Sequence, residues 1–279
     1  MRNLLRPVLV VALAVAAAVL VLPGVASAAT TTVGFDVSYP QCGTTLPAAR
    51  AFGIVGVNGG IATSANTCLS QQLTWASKSS GAVAAQPKAQ LYLNTANPGQ
   101  VTPTVGTWPK AGSTPYGTCR GANDQACSWQ YGWERAHNSV VSFFKPAATA
   151  AHLSSLPSSY RWWLDVETDN SWQTGSTTAL KAAAQARNRA TLEGMTAYLT
   201  SAPQSATVGI YSTGSQWGQI VGTVPTTSNL AKKNSWLASG STSATSAAAL
   251  CKSAPLTPGG RVALAQYVQS GLDHDTSCG

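Results

Sequence analysis

Three of the nine acidic residues in this 279-residue chain fall within one short stretch, RWWLDVETDNSW, residues 161–172. They are Asp165, Glu167 and Asp169, and they follow an apolar run directly. In an extended strand alternate side chains share a face, so Trp163, Asp165 and Glu167 point the same way. Carboxylates at i and i+2 stand ~6.5 Å apart along a strand. At an effective dielectric near ~20 they repel by about 2–3 kcal/mol, which separates their pKa values by about two. Such a pair tends to share one proton and so keeps an acid protonated near neutral pH, as a general acid requires.

Other acids fall at comparable places. Asp36 lies in GFDVSYPQ near the end of the first strand-like run, and Asp273 and Asp275 lie in GLDHD at the last. If first and last strands are neighbours in a closed barrel, these acids converge on Asp165 and Glu167. Aromatic residues supply flat faces on which pyranose rings could stack. Trp172 and Tyr211 lie close to the acids in sequence or strand position, and Trp108, Tyr116, Trp129, Tyr131 and Trp133 crowd the segment after the third strand. Core packing is the expected role of Trp163 and Trp236. Glu193 falls in a helical stretch and is expected on a solvated face.

The elements that must position these residues are legible as a repeated pattern. Strand-like runs occur at 32–39, 52–58, 89–94, 161–167, 207–212, 234–238 and 261–268, with a weak eighth at 271–275, and Ala-rich helical stretches lie between several of them. Alternating strands and helices imply parallel strands with both faces covered. Eight strands in about 250 residues fit an α/β fold of the closed, irregular (β/α)8 TIM-like barrel type, as a single domain. The crossover from Ser212 to Asn234 is short for a full helix, so irregularity is expected in the second half. Residues 95–127 form a Pro-, Gly- and Thr-rich insertion, expected over the barrel mouth.

Composition narrows the class. Arg2 and Arg6, the apolar run from Val8 to Leu22 and the small residues Ala26-Ser27-Ala28 read as a signal peptide over 1–28. The mature chain, 29–279, is then expected to be secreted, extracellular or wall-associated, monomeric and without a membrane segment. Without Arg2 and Arg6, fifteen basic residues face nine acidic ones, a net charge of +6 with no basic stripe of the kind that reads nucleic acid. Six cysteines (42, 68, 119, 127, 251 and 278) in an exported chain imply three disulfides. Fifteen pairings are possible, and neighbour pairing is the simplest because it closes each loop locally. There is no CxxC pair, no HExxH, no GxGxxG and no GxSxG, so neither metal nor cofactor is expected.

The motifs GFDVSYPQ (34–41), WLDVE (163–167), GIYS (209–212), WLA (236–238), AQYV (265–268) and LDHD (272–275) run in the order found in glycoside hydrolase family 25, which the chain resembles over nearly its whole mature length. That family comprises lysozyme-like N-acetylmuramidases on an irregular (β/α) barrel. The resemblance implies Glu167 as general acid, Asp165 as its charged neighbour, Asp36 as the first-strand carboxylate, and Asp273 or Asp275 as the last-strand one. In the family the substrate's own N-acetyl group has been proposed to assist. The chain departs from the family after the second strand, where VNGG carries Asn58, after the third, where YLN carries Asn94, and in the insertion. Asn58, Asn94, Trp172, Tyr211, Trp108 and Trp129 are the expected substrate contacts. The expected function is hydrolysis of β-glycosidic bonds in peptidoglycan or a related amino-sugar polymer. The alternative is a catalytically silent barrel that binds a cell-wall glycan.

Overall fold

A computed structural model describes residues 31–104 and 106–279. The leader expected over 1–28 lies outside the described residues. Eight strands close into a barrel: β1 (Gly34–Val37), β2 (Gly53–Gly56), β3 (Ala89–Asn94), β6 (Arg161–Asp165), β7 (Thr207–Ser212), β8 (Asn234–Ala238), β9 (Val262–Gln269) and β10 (Leu272–Ser277). The two remaining strands, β4 (Gly112–Thr114) and β5 (Gly117–Cys119), form a separate hairpin within the insertion. All eight strand-like runs of the sequence are barrel strands.

One strand departs from the parallel arrangement. β10 runs antiparallel to both of its neighbours, β9 and β1, while every other barrel pair is parallel. The cause is local. Gln269 pairs with Leu272, so Ser270 and Gly271 alone make the turn, and both have positive φ (53° and 74°). Two successive left-handed residues are what a tight hairpin needs, and they leave no room for the crossover a parallel return requires.

The helices are uneven. α1 (Leu69–Ser77) follows β2, and α2 (Gln125–Asn138) continues through a wider turn at Ser139–Phe144 into α3 (Lys145–Ala150). α4 (Thr178–Thr200) is the longest, and Thr177 caps it by accepting from the Leu180 amide at 3.2 Å. α5 (Gly214–Ile220) and α6 (Ala244–Leu250) span only seven residues each, which matches the irregular second half. β1 and β2 are joined by a single 3-10 turn, Tyr39–Gln41, so the first half is irregular too.

Strand alternation sorts the core into two layers. Outward residues such as Leu91, Leu93, Trp162, Leu164 and Ile210 pack with Leu73, Phe144, Leu192 and Met195 beneath the helices. Inward residues, Phe52, Ile54, Trp163, Trp236 and Leu264 among them, fill the barrel. Its lower end is closed by polar side chains as well. Trp163 Nε1 donates to Gln90 Oε1 at 2.9 Å, and Arg161 Nη1 donates to Gln86 Oε1 at 2.7 Å. With the floor filled, the space that remains lies at the carboxyl ends of the parallel strands, where barrels of this kind carry their sites.

Three disulfides join Cys42–Cys68, Cys119–Cys127 and Cys251–Cys278, which is the neighbour pairing. Among the described residues no helix is long and apolar enough to cross a membrane.

Candidate active site

A cavity of about 320 Å³ opens at this end of the barrel, and Asp36, Asp165, Glu167 and Asp273 all line it. They come from three separated parts of the chain. Asp36 lies within β1, opposite Asp273 of β10 on one side and Ile54 of β2 on the other. Asp165 is the last residue of β6, between Asn94 of β3 and Tyr211 of β7. Glu167 stands two residues further on, half-buried at the rim.

Asp165 and Glu167 behave as one unit. Asn94 Nδ2 donates to Asp165 Oδ2 at 2.8 Å, whereas Asp165 Oδ1 is buried with no donor facing it. Burial, then the Glu167 charge and the contact with its carboxyl, push Asp165 well above the usual carboxylate range, and Asn94 opposes this. Glu167 is raised by burial, lowered by its contact with Asp165, and raised again by Asp169 and Asp273. Two neighbouring buried carboxyls, one with an oxygen that no donor satisfies, disfavour double ionisation, and both shifts run upward.

The backbone that carries Glu167 is fixed from two sides. Trp172 Nε1 donates to the Glu167 carbonyl at 2.9 Å, and Gln216 Oε1 of α5 accepts from the Thr168 amide at 2.7 Å. Trp172 therefore holds the acid from behind and does not line the cavity. Asn58 is also one layer back. It is fully buried, accepts from the Asn94 amide at 3.1 Å, and so orients the residue that orients Asp165.

The second acid group surrounds Asp36. Gln266 Nε2 donates to Asp36 Oδ2 at 2.9 Å, and Tyr211 OH donates to Gln266 Oε1 at 2.7 Å. Burial and the charges of Asp275 and Asp273 still raise Asp36 well above its ordinary value. The sequence left Asp273 and Asp275 as equal candidates, and their depths differ. Asp273 is half-buried on the cavity wall. Asp275 is completely buried below it; burial followed by the Asp273 charge raises it strongly, and contacts with the Trp236 indole and the Asp36 carboxyl oppose this. Burial of this kind disfavours the charged form.

Several wall residues carried no expectation from the sequence. Tyr92, Gln266 and Val268 line the cavity, and Gln266 makes the contact to Asp36; Trp236, expected in the core, packs there and also reaches the cavity wall. Inward parity was the available signal: Gln266 and Val268 share the face of Leu264, and Tyr92 shares that of Gln90. Tyr211, expected as a sugar contact, does line the cavity.

The aromatics of the insertion lie elsewhere. Trp108 is buried, stacked 5.5 Å from Tyr131, and packed with Cys119 and Cys127. Trp129 lines a different cavity on the outside of the barrel. The start of the insertion leans on the β6–α4 loop through Asn97 N to Ser171 O at 2.7 Å and Gln100 Nε2 to Thr174 O at 2.7 Å. The hairpin then packs outward against α2, because its disulfide returns the chain to that helix rather than across the mouth. Glu193 is likewise not on a solvated face. It is 8 % exposed, since α2, the hairpin and the loop before β8 cover this part of α4.

Among the described residues, no group of three or more histidine, cysteine, aspartate or glutamate side chains is placed to hold a metal ion. Comparison with protein-family models, with curated proteins and with solved structures finds no match to this chain.

Proposed function

We propose that this protein is an exported glycoside hydrolase that cleaves β-linked amino-sugar polymers such as peptidoglycan, in the manner of a lysozyme-like muramidase. The observation that supports this most directly is the Asp165–Glu167 pair, which lines an open cavity together with the acids of β1 and β10 and is pushed upward in pKa by burial and mutual charge. Glu167, the more accessible member, delivers the proton to the glycosidic oxygen as the bond from that oxygen to the anomeric carbon breaks. Both members of the pair are then carboxylates: Asp165 keeps the negative charge it already held, and Glu167 gains one that fits it to act next as a base. The carboxyl groups of Asp36 and Asp273 face the positive charge that develops on the sugar ring. A water molecule completes hydrolysis, with Glu167 taking its proton.

The resemblance to glycoside hydrolase family 25 favours the same assignment and makes the substrate's N-acetyl group an internal participant. Three disulfides fit an extracellular site of action. The test is incubation of the chain with purified peptidoglycan and mass analysis of soluble products, beside the Glu167→Gln variant. Release of saccharide fragments by the native chain alone is expected. Binding without release by both would establish instead a barrel that holds glycan and does not cut it.

A further inference from the structure

On the outside of the barrel, α2, α4, the β4–β5 turn and the loop before β8 enclose a second cavity of about 300 Å³. Its walls divide by chemistry. Trp129 of α2, Tyr116 at the hairpin tip and Pro225 contribute rings to the lining, while Glu193, Ser228 and Asn229 contribute polar side chains. The two helices meet closely here because a Cβ on Gly194 would lie 2.0 Å from the Trp129 carbonyl oxygen. Glu193 is fixed in place: Tyr116 OH and Ser228 Oγ donate to its carboxylate, and Asn229 Nδ2 donates to its carbonyl at 2.9 Å.

The side-chain hydrogen bonds to the Glu193 carboxyl come from two hydroxyls, Tyr116 and Ser228. That carboxyl retains unused acceptor capacity, because two oxygens offer about four lone-pair sites. Tyr116 stays exposed and Trp129 half-exposed beside it, so the rings are not closed into a core. Aromatic rings beside hydrogen-bond acceptors in one cavity suit a pyranose, which has an apolar C–H face and an edge of hydroxyl donors. We infer that this cavity is an accessory site for one sugar unit of a glycan, separate from the barrel mouth. The inference rests on the reading of the protein as one that meets a glycan, and not on turnover.

The test uses the full mature chain carrying Glu167→Gln, titrated with an N-acetylglucosamine tetramer by calorimetry and by indole NMR. Thr227, exposed on the cavity wall, is changed to Trp to plug the site without touching the buried contacts. Trp129→Ala removes the indole ring. Both changes are expected to weaken one binding event about tenfold or more and to lower retention on insoluble peptidoglycan. In a chain with native Glu167, Thr227→Trp should leave hydrolysis of a soluble oligosaccharide unchanged. Unaltered binding in Thr227→Trp overturns the inference, as does occupation of the cavity by a lysine-containing peptide but not by the tetramer. Sugar binding lost on plugging, in a chain that hydrolyses nothing, sustains the inference while refuting the proposed activity.

Discussion

Asp36 and Asp273 stand directly opposite each other across the antiparallel β1–β10 pair, two acids where cross-strand neighbours normally avoid like charge. With Asp275 buried beneath them, ionising all three is penalised by burial and mutual repulsion, and each is raised above its ordinary value. The shifts of Asp36, Asp165 and Asp275 are upward, so the folded chain binds protons that the unfolded chain releases. That contribution to stability is complete below the unfolded value of 3.8 and is lost as pH rises through the folded values. Within this window each such group costs about 1.4 kcal/mol per pH unit. Asp275→Asn should therefore stabilise the protein more at pH 7 than at pH 4. Thermal unfolding at the two values reads the difference, and an equal change at both would refute a protonated Asp275.

Asn94 sets how easily Asp165 ionises. Its amide is the donor on Asp165 Oδ2, and a hydrogen bond to a charged group contributes about 1.5–3 kcal/mol. Asn94→Ala should raise the apparent pKa of the Asp165–Glu167 pair, because the donor that favours the charged form is lost. The limb of the pH–rate profile that reports this pair, or a carboxyl NMR titration of the free protein, should move to higher pH. A profile that does not move would detach Asn94 from the pair.

Trp172 and Gln216 act on Glu167 only through its backbone. Trp172→Phe keeps the ring and loses the 2.9 Å bond to the Glu167 carbonyl, while Gln216→Ala frees the Thr168 amide. Each should cost about 1 kcal/mol of stability. Turnover should fall about tenfold with KM nearly unchanged, because a misplaced acid penalises the transition state rather than binding. A rise in KM alone would instead put Trp172 in contact with substrate.

The disulfides should differ in value. Chain-entropy arguments give about 2.5 kcal/mol for the Cys119–Cys127 loop and about 3.5 kcal/mol for each of the other two, whose spans are 26 and 27 residues. Paired Cys→Ala variants compared by urea unfolding should reproduce that order. Thiol titration of the native protein should find no free cysteine.

Period-two patterning and apolar runs determined the eight barrel strands and the common inward face of Trp163, Asp165 and Glu167, because both follow from local backbone geometry. Local spacing also favoured the disulfide pairing, since the nearest cysteines close the smallest loops. Which way the last strand runs was decided by Ser270 and Gly271, whose positive φ values belong to the folded backbone and are not written in residue type alone. Tertiary packing decided the rest. Asp273 and Asp275 share a sequence motif and a strand face, yet only their depth in the closed barrel separates a cavity wall from a fully buried acid. Trp108, Trp129 and Glu193 went where a disulfide-bound hairpin meets two closely crossing helices, a contact between segments far apart in the chain. Composition marks such residues as able to stack or to ionise, but the environment that fixes what they do comes from other segments, and only the assembled fold supplies it.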